Sequence, residues 1–178
     1  SPPVRRRAFS APMIDTVRTT IPQPPMSQIA LLLPTGNILL DLDAGSKSRL
    51  FDAVGALFET NRGLSRQVVV DSLLAREKLG STGLGQGIAI PHGRIRGLRE
   101  AQGAFVRLKS PIPFDAPDGK PVAQVFVLLV PEQATEQHLQ LLSELAQMFS
   151  EARFRESLAG PTDAAGLRAV FEGWEPAP

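Results

Sequence analysis

The sequence predicts a single layered α/β domain. Segments with helical and with strand periodicity follow one another in mixed order. One run, Val122 to Val130, is nearly all apolar, as a strand covered on both faces must be. With 178 residues and 43% hydrophobic content, the chain has enough apolar surface for one real core.

The elements are expected in this order. Residues 1–25 are rich in Pro, Ser, Thr and Arg without sustained periodicity, and read as a disordered leader or a cloning remnant. The folded domain is expected over 26–178, with apolar order starting at Ile29 to Leu33 and Met26 as a candidate native start. Ile38 to Leu40 read as a first strand. Ser46 is placed to cap a helix from Lys47 to Thr60, whose Leu50, Val54, Leu57 and Phe58 share one face. Gly63 ends that region. Ser65 then caps a second helix to about Glu77, with Val68, Val69, Leu73 and Leu74 expected inside and Arg76 at its C-terminal end. Gly80 to Gly87 read as a glycine-rich loop, followed by a short strand over Ile88 to Ile90. Arg94, Arg96 and Arg99 read as loop residues. Ala104 to Leu108 alternate as a strand, with Phe105 and Arg107 on the opposite face from Ala104, Val106 and Leu108. Asp118-Gly119 marks a turn. After the central strand, helices are expected over about Thr135 to Ser150, Ala152 to Leu158 and Thr162 to Phe171; Leu139, Leu142 and Leu145 are expected in the core. There is no internal repeat.

Composition narrows the chemistry. There is no cysteine, so disulfides and thiol nucleophiles are excluded. No apolar run reaches membrane-spanning length, and the opening residues lack a secretory h-region, so a cytoplasmic protein without membrane insertion is expected. The net charge of +1 hides a leader of net +3 and a remainder of net −2. That distribution gives no clustered basic face for nucleic acid. No Gly-Lys-Ser/Thr sequence follows the glycine-rich loop, so no nucleotide site is expected. His92, His138 and Glu136 lack the spacing of a metal site, and neither a metal nor a cofactor is expected.

The stretch from Arg76 to Arg94 carries the strongest functional signal. It holds His92, one of only two histidines, between Pro91 and Gly93 just past an apolar run. Proline stiffens the approach, and glycine leaves room for another group to come close. Imidazole accepts and returns a group near neutral pH. Taken alone, His92 is more readily a histidine that hydrogen-bonds across a loop. The surrounding residues resolve the choice. Arg76-Glu77-Lys78, Ser81-Thr82-Gly83 and Gly87-Ile88-Ala89-Ile90-Pro91-His92-Gly93, then Pro111-Ile112-Pro113-Phe114 and His138-Leu139-Gln140-Leu141-Leu142, resemble the fructose/mannitol/nitrogen-regulatory enzyme IIA family of the phosphoenolpyruvate-dependent phosphotransferase system. The likeness runs from about Ile38 to Phe171, and Gly80 to Gly85 look most like the nitrogen-regulatory branch.

The resemblance implies a small mixed β-sheet with helices on both faces. It implies a phosphotransferase whose His92 accepts the phosphoryl group, on Nε2, from an HPr-type phosphocarrier protein. His138 would stabilise that group, and Arg76 would neutralise its charge with the planar donor fork of a guanidinium. Ser81 and Thr82 are candidate assisting hydroxyls. The output would be regulatory, linked to nitrogen and potassium. One alternative is a sugar-specific IIA feeding a separate IIB, since the cysteine that IIB domains typically use is missing from this chain. The other is a non-catalytic interaction module on the same fold.

Overall fold

The computed structural model describes residues 27–133 and 135–176. The expected leader, residues 1–25, therefore lies outside the described residues. A short helix, α1 (Gln28–Leu31), is followed by a 3-10 turn at Thr35–Asn37 and strand β1 (Ile38–Leu42). Two helices follow, α2 (Lys47–Arg62) and α3 (Arg66–Lys78). The strands β2 (Gly83–Gly85), β3 (Ile88–Ala89), β4 (His92–Ile95), β5 (Gln102–Ile112) and β6 (Val122–Pro131) come next. Helices α4 (Glu136–Ser150), α5 (Ala152–Ser157) and α6 (Ala164–Glu172) complete the described part.

The predicted caps form. Ser46 Oγ accepts the Arg49 amide at 3.2 Å, and Ser65 Oγ accepts that of Val68 at 3.3 Å. Gly63 closes α2 with φ of 70°, a left-handed turn that suits glycine.

β6 is the axis of the six-stranded mixed sheet. β5 lies antiparallel along one side of it. Along its other side run β3 and then β4, both parallel to it. β1 pairs parallel with β5, and β2 pairs antiparallel with β3. Side chains of β6 alternate between two cores. Val125, Val127 and Leu129 pack with Phe51, Phe58 and Leu73 under α2 and α3. Phe126, Leu128 and Val130 pack with Leu145, Phe149 and Phe171 under α4 and α6. Helices thus cover both faces of the sheet, as the α/β expectation required.

Four features depart from the sequence reading. Gly83–Gly85 is a strand rather than loop, because its hairpin with β3 supplies backbone partners. Arg94 sits in β4, where it pairs with Val130, so the segment after His92 begins as a sheet edge. Val68 is 46% exposed, because the buried stripe of α3 is Val69 and Leu73, four residues apart, and Val68 falls to the side of it. Leu139 is 66% exposed. Each three-residue step along Leu139, Leu142 and Leu145 falls about 60° short of a full turn, so the stripe winds off the core face that Leu141, Leu145, Met148 and Phe149 occupy.

Two packing contacts fix the helices against the sheet. Phe171 is fully buried and meets the rings of Phe105, Phe126, Phe149 and Phe154 at centroid distances of 5.5, 5.7, 6.3 and 5.3 Å, tying α6 to the sheet and to the ends of α4 and α5. On the opposite face α3 lies directly on β4. A Cβ at Gly93 would overlap Ser72 Oγ and sit 3.2 Å from Ser72 Cβ. Ser72 Oγ also donates to the Arg94 carbonyl at 2.9 Å.

Phe171→Ala should cost about 3–5 kcal/mol of stability, read from urea unfolding, because it empties the centre of an aromatic cluster. Gly93→Ala should cost about 1–3 kcal/mol by overpacking the helix-strand contact. Adding Ser72→Ala should restore part of that loss, since the closest overlap is with the serine hydroxyl; full additivity of the two losses would place the strain elsewhere.

Candidate functional site

His92 opens β4, immediately after Pro91 interrupts the strand pair. Proline has no N–H, but its carbonyl accepts the Leu128 amide at 3.0 Å, so the chain stays attached to β6 through the break. The imidazole is partly buried, and its Nδ1 lies 2.8 Å from the Ile90 carbonyl oxygen. A carbonyl only accepts, so Nδ1 carries the proton and the lone pair is on Nε2. Burial holds the His92 pKa below the ordinary histidine value, and the Arg76 guanidinium pushes the same way; the Ile90 carbonyl and Glu77 oppose them. The neutral, nucleophilic form is therefore favoured at neutral pH.

His138 reaches the same place from the other side of the sheet. It occupies the third position of α4, where the Thr135 amide donates to its Nδ1 at 3.1 Å. An amide only donates, so this ring keeps its proton on Nε2. The two histidines thus hold opposite tautomers: one ring offers a lone pair at Nε2, the other an N–H. The positive end of α4 lies beside them, which favours an anion.

Arg76, in the last turn of α3, completes the group. His92, Arg76 and His138 line one cleft of about 700 Å³ at the β4 edge. Its walls come from α3 through Asp71 and Ala75 and from the capping residue Leu79, from the sheet through Leu128 and Val130, and from α4 through Leu139 and Leu142. Leu79 and Leu139 are 84% and 66% exposed, so apolar side chains stand at the rim of the cleft. The Arg76 Nη1 donates to the Gly80 carbonyl at 2.9 Å, which holds the guanidinium at the helix end and leaves its other donors for an anion.

The structure does not bring Ser81 and Thr82 into this group. Ser81 Oγ donates to the Phe114 carbonyl at 2.5 Å and accepts the Gly83 amide at 3.0 Å. Thr82 Oγ1 donates to Glu77 Oε1 at 2.6 Å. The amides of the glycine-rich segment are also engaged: Gly80 N–H donates to the Glu77 carbonyl, Thr82 N–H to the Glu77 carboxylate and Gln86 N–H to Asp118. This segment braces the site rather than presenting donors to an anion. Glu77 is the residue that sequence reasoning passed over. Its side chain is 6% exposed and also holds the Lys47 ammonium at 2.9 Å. Its place beside Arg76, five residues before Thr82, was the available signal.

Known proteins bear on this geometry. The family model described as phosphoenolpyruvate-dependent sugar phosphotransferase system, EIIA 2, matches residues 31–173. The chain is similar to a nitrogen regulatory protein of Pseudomonas aeruginosa, 42% identical over 146 residues that span 82% of this chain and 95% of the relative. A nitrogen regulatory protein of Bradyrhizobium diazoefficiens is 38% identical over 134 residues, 75% of this chain and 88% of the relative. The crystal structure of nitrogen regulatory protein IIA-Ntr from Neisseria meningitidis superposes with a TM-score of 0.77 at 54% identity, covering 82% of this chain and 99% of that one. IIA mannitol from Escherichia coli shares the fold at a TM-score of 0.65 and 21% identity. Matched over most of its length by the family model, and by relatives nearly end to end, the chain belongs to the EIIA type-2 family of the phosphoenolpyruvate-dependent phosphotransferase system.

Proposed function

We propose that this protein is a regulatory phosphoryl carrier whose acceptor is His92 Nε2. The observation that carries the reading is the pair of opposed tautomers in one cleft with Arg76. In this reading the donor is the phosphohistidine of an HPr-type phosphocarrier. The His92 Nε2 lone pair forms the new P–N bond as the donor's P–N bond breaks and its ring nitrogen regains the electron pair. The His92 ring gains positive character, which the Ile90 carbonyl stabilises through Nδ1–H. His138 Nε2–H and the Arg76 guanidinium hold the phosphoryl oxygens. Positioning and charge stabilisation supply the rate, as a loose phosphoryl transition state requires. The apolar rim fits a protein donor better than a small solute.

Similarity to nitrogen regulatory proteins supports a regulatory output linked to nitrogen; a link to potassium and a cytoplasmic location belong to the same proposed reading. A dianion added in an open cleft changes what can bind there, so phosphorylation state would select partners. A second reading, a sugar-specific IIA, has support from a fructose-specific EIIA component of Haloferax volcanii, 41% identical over 93 residues. Transfer from the phosphorylated protein to a separate IIB, with sugar uptake lost on deletion, would favour it.

Incubation with phosphoenolpyruvate, enzyme I and the phosphocarrier should add one acid-labile phosphoryl group, read by intact mass. No gain in the wild type would overturn the carrier reading, and a gain in His92→Ala would overturn the site. Arg76→Ala should slow phosphorylation on the order of a hundredfold while the fold persists; unchanged kinetics would make the arginine structural. The pH profile has a definite sign. Only neutral His92 is nucleophilic and its pKa is depressed, so the acid limb should lie below the ordinary value of 6.5. Stopped-flow rates that halve above that pH would contradict the geometry.

A further inference from the structure

We infer that Glu77 is a positioning residue for phosphoryl transfer, acting through an unbroken run of hydrogen bonds that ends on the His92 ring. The inference rests on the proposed carrier function and assigns a role that neither the family match nor the lining of the cleft requires.

The run can be followed atom by atom. Glu77 Oε2 accepts the Lys47 ammonium at 2.9 Å and the Thr82 amide at 3.0 Å, while Oε1 accepts the Thr82 hydroxyl at 2.6 Å. The Thr82 carbonyl accepts the Ile90 amide at 3.0 Å. The Ile90 carbonyl accepts His92 Nδ1–H at 2.8 Å. One carboxylate therefore sets the height of the Thr82 backbone, Thr82 sets Ile90, and Ile90 sets both the tautomer and the tilt of the acceptor ring. Glu77 is also the neighbour of Arg76, whose guanidinium is tied to Gly80 within the same turn of chain. Both partners of the reacting group thus take their placement from one anchor.

The anchor is built to be stiff. A nearly buried carboxylate is stable only with its lone pairs satisfied, and here two oxygens receive three donors, one of them cationic. Lys47 is itself fixed, 4.5 Å above the Phe114 ring and 3.6 Å from Asp115. A neutral amide replaces the carboxylate only in part. In Glu77→Gln the amide oxygen can keep the Lys47 ammonium and the Thr82 amide while its NH₂ donates to the Thr82 hydroxyl, but the charge-assisted bond to Lys47 is lost and Thr82 Oγ1 must turn from donor to acceptor. The two apolar cores do not include Glu77, so the fold should survive the change.

The test uses the full chain with phosphoenolpyruvate, enzyme I and the phosphocarrier, and it compares Glu77→Gln, Thr82→Val and Thr82→Ser. Glu77→Gln and Thr82→Val should lower the maximal phosphorylation rate roughly tenfold or more, with KM for the phosphocarrier unchanged, because orientation rather than docking is lost. Thr82→Ser, which keeps the hydroxyl, should behave as wild type. The His92 ring proton, followed by NMR titration, should report a lower pKa in Glu77→Gln, since a nearby negative charge has gone. A folded Glu77→Gln protein with wild-type kinetics and an unmoved His92 titration would overturn the inference. So would equal rates for the two Thr82 variants, and that pair decides alone if Glu77→Gln does not fold. If wild type gains no phosphoryl group, the carrier reading fails. The His92 tautomer, read from ring ¹⁵N shifts, then still judges the link: loss of the Nδ1–H preference in Thr82→Val upholds it and an unchanged tautomer overturns it.

Discussion

The structure depends on one strand that must be covered on both faces. β6 is apolar at nearly every position and sends alternate side chains into two separate cores. That constraint forces helices onto both sides of the sheet. It also leaves one flank of β6 to be filled by two short strands in succession, β3 and β4. Pro91 lies in the break between them. A residue just past that break is held by the sheet yet freed from continuous pairing, and His92 occupies the position. The reactive ring is therefore a product of how the central strand is covered, not an addition to a finished fold.

The same constraint explains why the site draws on distant parts of the chain. α3 belongs to one face and α4 to the other, and both overhang the β4 edge. The approach of α3 is set by glycine at position 93, where any Cβ would meet Ser72. α4 contributes through its first turn, where helical amides need acceptors that the helix cannot supply. His138 meets part of that need with Nδ1, and in doing so fixes which nitrogen faces the cleft. Local demands of strand, turn and helix end thus set the protonation pattern of both rings.

Much of this is legible in the sequence, for identifiable reasons. Ser46, Ser65 and Gly63 mark helix ends because their chemistry works within a few residues. The long strands follow from runs and alternation that need no knowledge of partners. The shorter ones, β2 and β4, escape detection because three or four residues acquire strand geometry only when a neighbour supplies the hydrogen bonds. Leu139 misleads for a related reason. Apolar character alone does not say which side of a helix the core will claim, and this leucine stands at the rim of the cleft. Ser81 and Thr82 carry hydroxyls of the right type, but those hydroxyls are directed to Phe114 and Glu77. Donor inventory is a sequence property, whereas donor direction is not.

The amino-acid order by itself determined the layered α/β class, the helix caps and a histidine set between proline and glycine after a short apolar run. These are consequences of backbone stereochemistry and of apolar spacing, both written in near neighbours. Only the tertiary structure decided that helices from opposite faces converge on that histidine, which nitrogen of each ring is free, and that a carboxylate beside Arg76 turns inward to brace the loop. The convergence joins groups tens of residues apart along the chain; the partners Ile90, Thr135 and Thr82 are near in sequence, but their directions exist only after the sheet has closed its two cores.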